Sequence, residues 1–496
     1  MNIFVNAMNA PYGRQPIVAR TSNGMRARTT TASAALDLYG SIGASRGKNI
    51  LSAFEAAYRE DKDKALRIAQ WARDVRGGAG ERQLYRDILL WLEVNDVETL
   101  TTSNLIPNLV EIGRFDDLLI FQTDKVKYSA YTEIAKALNA GNGLCAKWMP
   151  RKGPIAIELR QAFSLSPKAY RKGLVALTNV VETQMCARNW NEINFSHVPS
   201  VAMSRYLTAF HRNAPEAMAT YKEALSKNDG TAKVNASAVY PYEIIKMLGG
   251  ARDLAGYGGY TTNYPQYMRG FDQPQYQFNQ VAQSMWDALP NYMGNKNVLA
   301  IVDNSGSMQT GIHDSRVTAM DVATSLGLYA AEKSTGAFKD LSIGFSDNAA
   351  FVSLSGPLNE RLEQMCRAPW GQSTNLHSVF TLILEHAISN RVPAADMPAT
   401  LLILSDMQFN SCVRHDDSAM QMIRRTYEDM GYEMPQVVFW NLMDYGNKPV
   451  KFNDTGVALI SGFSPAIMEA VLSDGLESFT PENVMLKTIM KPRYNW

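Results

Sequence analysis

At 496 residues, 46% of them apolar and 20% charged, the chain is too long for one hydrophobic core and too apolar for a disordered tract, which leaves a globular protein of two or three domains. No run approaches the ~18 apolar residues of a membrane helix, so no membrane association is expected. The four cysteines, Cys145, Cys186, Cys366 and Cys412, are dispersed and form no CxxC pair, against both a disulfide framework and a structural zinc site.

The opening stretch MNIFVNAMNAPYGRQPIVAR has no apolar core behind its charges, so a secretory signal is not expected and a reducing, cytoplasmic setting is. Residues 1–45, rich in Thr, Ser, Asn and Arg with little periodicity, are expected to form an extended N-terminal arm. Residues 46–250 predict helices in series. Apolar positions recur at spacings of three and four, as in Leu84, Ile88, Leu89 and Trp91. Breaks are expected at Gly77-Gly78, Gly141-Asn142-Gly143, Pro150, Ser166-Pro167 and near Pro199. Many short helices in series point to a helical-repeat solenoid, although no fixed period is visible. Residues 251–296 turn to Gly, Tyr, Gln, Asn and Pro and predict a connection packed on the helical domain, with one helix near 281–289. Its tyrosines can either stack on nucleotide bases or cover apolar surface between domains.

From 297 to 496 strands and helices alternate. Strands are expected at 298–302 (VLAIV), 341–345 (LSIGF), 401–404 (LLIL), 437–440 (VVFW) and 457–460 (VALI). Such runs predict a doubly wound, Rossmann-like α/β domain with its sheet covered on both faces. Charge divides with the architecture. Residues 1–300 hold 35 Lys and Arg against 26 Asp and Glu, a balance of +9, and the rest 14 against 22, a balance of −8. The two halves therefore either meet different partners or attract each other.

The residues with metal chemistry fall where such folds bind ligands, at the carboxyl ends of strands. Asp303, Ser305 and Ser307 follow the first strand, Gly306 allows the tight turn between them, Thr374 lies in the loop GQSTN, and Asp406 ends the 401–404 strand. Carboxylate, hydroxyl and water oxygens suit a hard cation, Mg²⁺ above all, which takes them at about 2.0–2.1 Å. An ordinary Asp-Ser-Gly turn is the bland alternative. DxSGS, the Thr loop and the later Asp resemble the metal-ion-dependent adhesion site of von Willebrand factor A-type domains. That resemblance implies direct coordination by Ser305, Ser307 and Thr374, largely water-mediated roles for Asp303 and Asp406, and a position open to a ligand's acidic group.

A second resemblance covers most of residues 20–475. ARDVRGGAGERQLYRDILLWL from Ala72, EIGRFDDLL from Glu111, AKWMPRKGP from Ala146, NWNEINFSHVPSVAMSRYLTAF from Asn189, and LSDMQFN, VVFWNL and ALISGFS further on resemble the TROVE module of the Ro autoantigen family and its relatives. It implies a multi-domain protein, an α-helical HEAT-like ring or horseshoe whose ends are clasped by the A domain, binding structured or misfolded noncoding RNA. Residues able to support this stand between 147 and 172: Lys147, Arg151, Lys152, Arg160, Lys168, Arg171 and Lys172 against the single acid Glu158. Such a cluster binds phosphates in a salt-dependent, sequence-tolerant way, or is a solvated helix face.

Arg73, Arg76 and Arg82 either line an RNA path or pair with Asp74, Glu81 and Asp87. For Arg73, Asp74 and Arg114 a structural role is expected, with Asp116 and Asp117 as helix-start acids and Gly77-Gly78 setting the angle between two helices. Catalytic readings find no support. GASRGKN at 43–49 is too short for a phosphate loop and has Asn where Ser or Thr must hold Mg²⁺, Gly256-x-Gly258 lacks a third glycine, and six histidines show no paired spacing. His377, three residues after Thr374, is expected on a helix surface. The reading is thus a monomeric, non-enzymatic RNA-binding scaffold with a metal-dependent ligand site. Its alternative is a metal-dependent protein-interaction module that captures a partner's acidic residue.

Overall fold

The computed structural model describes residues 18–227, 230–236, 239–251, 276–294, 296–312, 317–411, 417–472 and 479–496. A helical N-terminal region is followed by a six-stranded mixed sheet flanked by helices.

The helices break where the local chemistry dictates. Asp61, Asp96, Asn142 and Ser166 cap the helices Lys62–Arg73, Val97–Thr102, Gly143–Trp148 and Pro167–Leu177 with side-chain oxygens. Gly78 sits between Lys62–Arg73 and Arg82–Asn95, where a Cβ would fall 1.9 Å from the Trp71 carbonyl oxygen, so only glycine allows this turn. The basic pairings differ from those expected. Arg73 reaches Asp117 at 2.6 Å rather than Asp74, and Arg86 reaches the same carboxylate at 2.7 Å. Glu81 pairs with Arg46 at 2.6 Å, and Asp74 is held by Arg493 and Tyr494 from the far end of the chain. Arg114 pairs with Asp116 and lies 3.7 Å above the Trp148 ring, a structural contact as expected.

All five predicted strands form. We label the strands β1 (Val18–Arg20), β2 (Arg26–Arg28), β3 (Val298–Asp303), β4 (Leu341–Phe345), β5 (Ala349–Ser353), β6 (Thr400–Ser405), β7 (Gln436–Asn441) and β8 (Val457–Ser461). The large sheet runs β5-β4-β3-β6-β7-β8, parallel except for β5, an edge strand paired antiparallel with β4. The chain leaves β3 toward β4 and returns on the opposite side as β6, so β3 and β6 flank the crevice where connections diverge.

Alternation sorts the strand side chains onto two faces. Leu299, Ile301, Ile403 and Phe439 pack with the helices Leu376–Ser389 and Ala419–Asp429. Val302, Leu404 and Trp440 join a core continuous with the helical region through Tyr39, Trp71 and Trp286. Gly327 in the helix Ala319–Lys333 permits that packing, since a Cβ there would meet Val302 Cγ2 at 2.4 Å.

The expected N-terminal arm is corrected over its described part. Residues 18–45 hold the β1–β2 hairpin and the helix Ala34–Tyr39, whose Leu36, Leu38 and Tyr39 are fully buried. This segment packs on the sheet region: Tyr39 Oη donates to Thr488 Oγ1 at 3.1 Å, and the Ser461 hydroxyl donates to the Ile42 carbonyl. In return the C-terminal residues dock on the helices, Gln70 Nε2 donating to the Tyr494 carbonyl at 2.8 Å and Trp496 Nε1 to Asp63 at 3.0 Å. Most of the Gly- and Tyr-rich connection, 252–275, lies outside the described residues, as does Gly256-x-Gly258. Tyr276 at its end is buried, its hydroxyl 3.5 Å from Cys366 Sγ. Among the described residues no helix is long and apolar enough to cross a membrane.

Candidate functional site

Three loops meet above β3 and β6. Asp303 ends β3, and the loop after it is tied to the 371–375 loop by a bridge between Ser305 and Gly371 and by Gly306 N–H donating to the Gly371 carbonyl at 2.9 Å. The 371–375 loop is tied in turn to the loop after β6. Thr374 N–H donates to Asn410 Oδ1 at 3.0 Å and Asn410 N–H returns to the Thr374 carbonyl at 2.9 Å. Asp347 shapes it from outside through hydrogen bonds from the Ser373 hydroxyl and backbone. The loops that carry the five predicted residues are thereby joined beside the ends of β3 and β6. Asp303, Ser305, Thr374 and Asp406 are buried, and Ser307 is half-buried.

Within the cluster the Ser305 and Ser307 hydroxyls lie 3.2 Å apart, with Ser307 close to the Asp406 carboxylate. Asp303 receives the Ser405 hydroxyl at 2.6 Å on Oδ2 and the Ser305 N–H at 2.9 Å on Oδ1. Asp406 receives the Gln408 N–H at 3.1 Å on Oδ1, while its Oδ2 is buried with no hydrogen-bond partner among the described residues. Met407 takes a left-handed φ of +64° to make that return, a conformation uncommon outside glycine.

Burial pushes the Asp303 carboxyl up to about 7, with the facing carboxylate of Asp406 adding to the shift. Burial likewise raises Asp406. Among the described residues neither acid has a Lys or Arg partner. Two buried carboxylates, one with an orphaned oxygen, lie beside neighbouring hydroxyls, a set of oxygen donors whose chemistry fits a hard divalent cation. No three His, Cys, Asp or Glu side chains converge among the described residues, at this cluster or elsewhere; the cluster pairs two carboxylates with hydroxyls. His377 is exposed in the first turn of Leu376–Ser389, as expected, its Nδ1 3.3 Å from Thr381 Oγ1.

Sequence reasoning missed Ser405, Asn410 and Asn23. Ser405 and Asn410 bracket Asp406 in LSDMQFN and could have been found as the polar residues of a strand-end loop. Asn23, 280 residues before Asp303, comes to the rim on the β1–β2 turn, and no local signal marks it.

The basic cluster lies on the helices Pro154–Ala162 and Pro167–Leu177 and the loop before them. Arg151, Lys152, Lys168, Arg171 and Lys172 are exposed and Arg160 is half-buried. Lys147 is set apart, half-buried and paired with Glu182 at 2.8 Å. The lone acid of the segment, Glu158, is held by Lys127 at 2.9 Å. Arg151 and Arg171 donate only to Thr178 Oγ1 and the Pro167 carbonyl, so none of the six outer cations is paired with a carboxylate among the described residues. Ile157, Leu165 and Val175 are exposed among them.

With this geometry in hand, the chain can be set beside other proteins as a helical region joined to an α/β domain. Residues 21–113 and 124–297 match the family described as Domain of unknown function (DUF2828), and residues 297–491 match Domain of unknown function (DUF7788). The chain belongs to the DUF2828 family. It is 30% identical to Uncharacterized protein L728 of Acanthamoeba polyphaga mimivirus, over 95% of this chain and 86% of that protein. A solved structure, that of the Deinococcus radiodurans RO (RSR) protein, is similar at 15% identity over 89% of this chain and 90% of that one, with a TM-score of 0.35. At that score the pairing does not establish a shared fold.

Proposed function

We propose that this protein is a non-catalytic RNA-binding scaffold of Ro type: a HEAT-like helical-repeat body, joined to a von Willebrand factor A-type domain, that binds structured or misfolded noncoding RNA on its basic face. The observation that carries the reading is the set Arg151, Lys152, Arg160, Lys168, Arg171 and Lys172, on two successive helices and the loop before them, without carboxylate partners among the described residues. Cations that spend no charge on the protein are those that displace counterions from phosphates. A cytoplasmic setting suits this role, and no disulfide links the described cysteines Cys145, Cys186 and Cys366. The test is filter binding of a structured RNA at two salt concentrations. Binding should weaken steeply with salt, and a variant with Arg171→Glu and Lys172→Glu should bind far less. No affinity at low salt would end the reading.

The A-type domain is proposed to hold one divalent cation, Mg²⁺, through Asp303, Ser305, Ser307, Thr374 and Asp406. When bound, the ion would neutralise the two acids and offer a coordination position to an acidic group. This favours a second reading, in which the domain captures an Asp or Glu of a protein partner and the helical region is its frame. The orphaned Asp406 Oδ2 supports it. Partner capture would then be abolished by EDTA and by Asp303→Ala, whereas RNA binding would survive both.

A further inference from the structure

The β1–β2 hairpin is built onto the rim of the proposed cation site, and among the described residues the long-range hydrogen bonds of its turn fall on the two loops that carry Thr374 and Asp406. Thr21 Oγ1 donates to the Phe409 carbonyl at 2.6 Å, and Ser22 N–H donates to Gln408 Oε1 at 2.7 Å. Asn23 Nδ2 donates to the Gln408 carbonyl at 2.6 Å and lies 3.5 Å from Thr374 Oγ1. The Asn23 carbonyl accepts from Ser411 N–H at 3.0 Å, and Gly24 bridges to Asn410. Met25 is buried in the core beneath, with Met407 and Phe409. The turn is itself locked, Thr21 Oγ1 accepting from Met25 N–H at 2.9 Å and Gly24 holding a φ of +90° that other residues rarely take.

We propose that Asn23 is a positioning residue of the cation site, and that docking of the 21–25 turn is coupled to cation binding. The inference rests on the cation reading above. Thr374 lies in a loop rather than at a strand end, and its hydroxyl can rotate unless something fixes it. The Asn23 carboxamide ties the Gln408 backbone to that hydroxyl, joining the β6 loop to the 371–375 loop. Groups that orient first-contact ligands typically change metal affinity by about 10- to 100-fold when removed. Linkage then requires the reciprocal effect: if the docked turn strengthens the cation, the cation holds the turn down by the same factor.

The experiment uses the full chain with Mn²⁺ as probe. Free and bound Mn²⁺ are counted by electron paramagnetic resonance for wild type, Asn23→Ala, Gly24→Val and Asp303→Ala, and trypsin cleavage at Arg20, Arg26 and Arg28 is timed with and without Mn²⁺. Gly24→Val strains the left-handed turn, and its side chain would meet Ser411, while the Asn23 carboxamide is kept. We expect wild type to bind one equivalent, Asp303→Ala none, and both turn variants to bind about 10-fold more weakly, with Mn²⁺ slowing hairpin cleavage in wild type alone. A purely structural role for Asn23 would lower the melting temperature and leave Mn²⁺ affinity in place. If Asn23→Ala and Gly24→Val bind Mn²⁺ like wild type while Asp303→Ala does not bind, the coupling is wrong and the cation site stands. If wild type binds no Mn²⁺ that Asp303→Ala loses, both ideas fall.

Discussion

Asp303 and Asp406 work against the fold that holds them. Each is buried beside the other, and the folded state prefers Asp303 protonated to about pH 7. The unfolded chain releases that proton near the ordinary value of about 3.9. A carboxyl raised on folding contributes stability below its unfolded value and loses that contribution as pH climbs through the folded one. In EDTA, the melting temperature should therefore fall from about pH 5 to about pH 8 relative to Mg²⁺-saturated protein, and the gap should widen across that window. A gap of constant size would show that these acids do not exchange a proton for a cation. Asp406→Asn should remove the repulsion and stabilise the metal-free protein by about 1–2 kcal/mol while erasing its response to Mg²⁺. All five proposed ligands were legible because DNSGS, GQSTN and LSDM place oxygens at loops that strand periodicity locates. Asn23 was not, since it acts through a partner 351 positions away.

Among elements, the five long strands were readable as buried runs, whereas β5 was not. AAFVS follows a tight turn, is half exposed on its edge, and lacks a continuous apolar run. The β1–β2 strands are three residues each and carry arginines, too short for a period-2 signal. The helix Ala34–Tyr39 spans under two turns, which hides its 3.6 period. Spacing along the chain offers Arg73 its near neighbours as partners, whereas the fold chose the buried Asp117 for both Arg73 and Arg86. Asp117→Ala strands Arg73, only 3% exposed, and should cost about 3–5 kcal/mol in urea unfolding. A loss under about 1 kcal/mol would mean that water reaches the guanidinium.

At the scale of the molecule, the termini exchange. Residues 18–45 complete the sheet region, while Arg493, Tyr494 and Trp496 fasten the helices. Sequence divides the chain at about 297 because composition changes there, but pairings over 400 residues apart leave no local mark. The opposite charges of the two halves meet only in places, as in Lys64–Glu482 at 3.4 Å and Lys246–Asp321 at 3.6 Å. The basic 151–172 surface is not spent there. Deleting residues 491–496 leaves buried Asp74 without Arg493 and Tyr494 and should cost about 3 kcal/mol by calorimetry, with the helical region becoming the first site of proteolysis. An unchanged melting profile would show that the exchange carries no stability.

The convergence of three loops on one cation is tested most directly by anomalous scattering from crystals of the full chain grown with Mn²⁺. A single peak is predicted about 2.0–2.3 Å from the Ser305 and Ser307 hydroxyl oxygens, facing Thr374, Asp303 and Asp406, and absent from Asp303→Ala crystals. A map without density there, or with its manganese held elsewhere, would contradict the account.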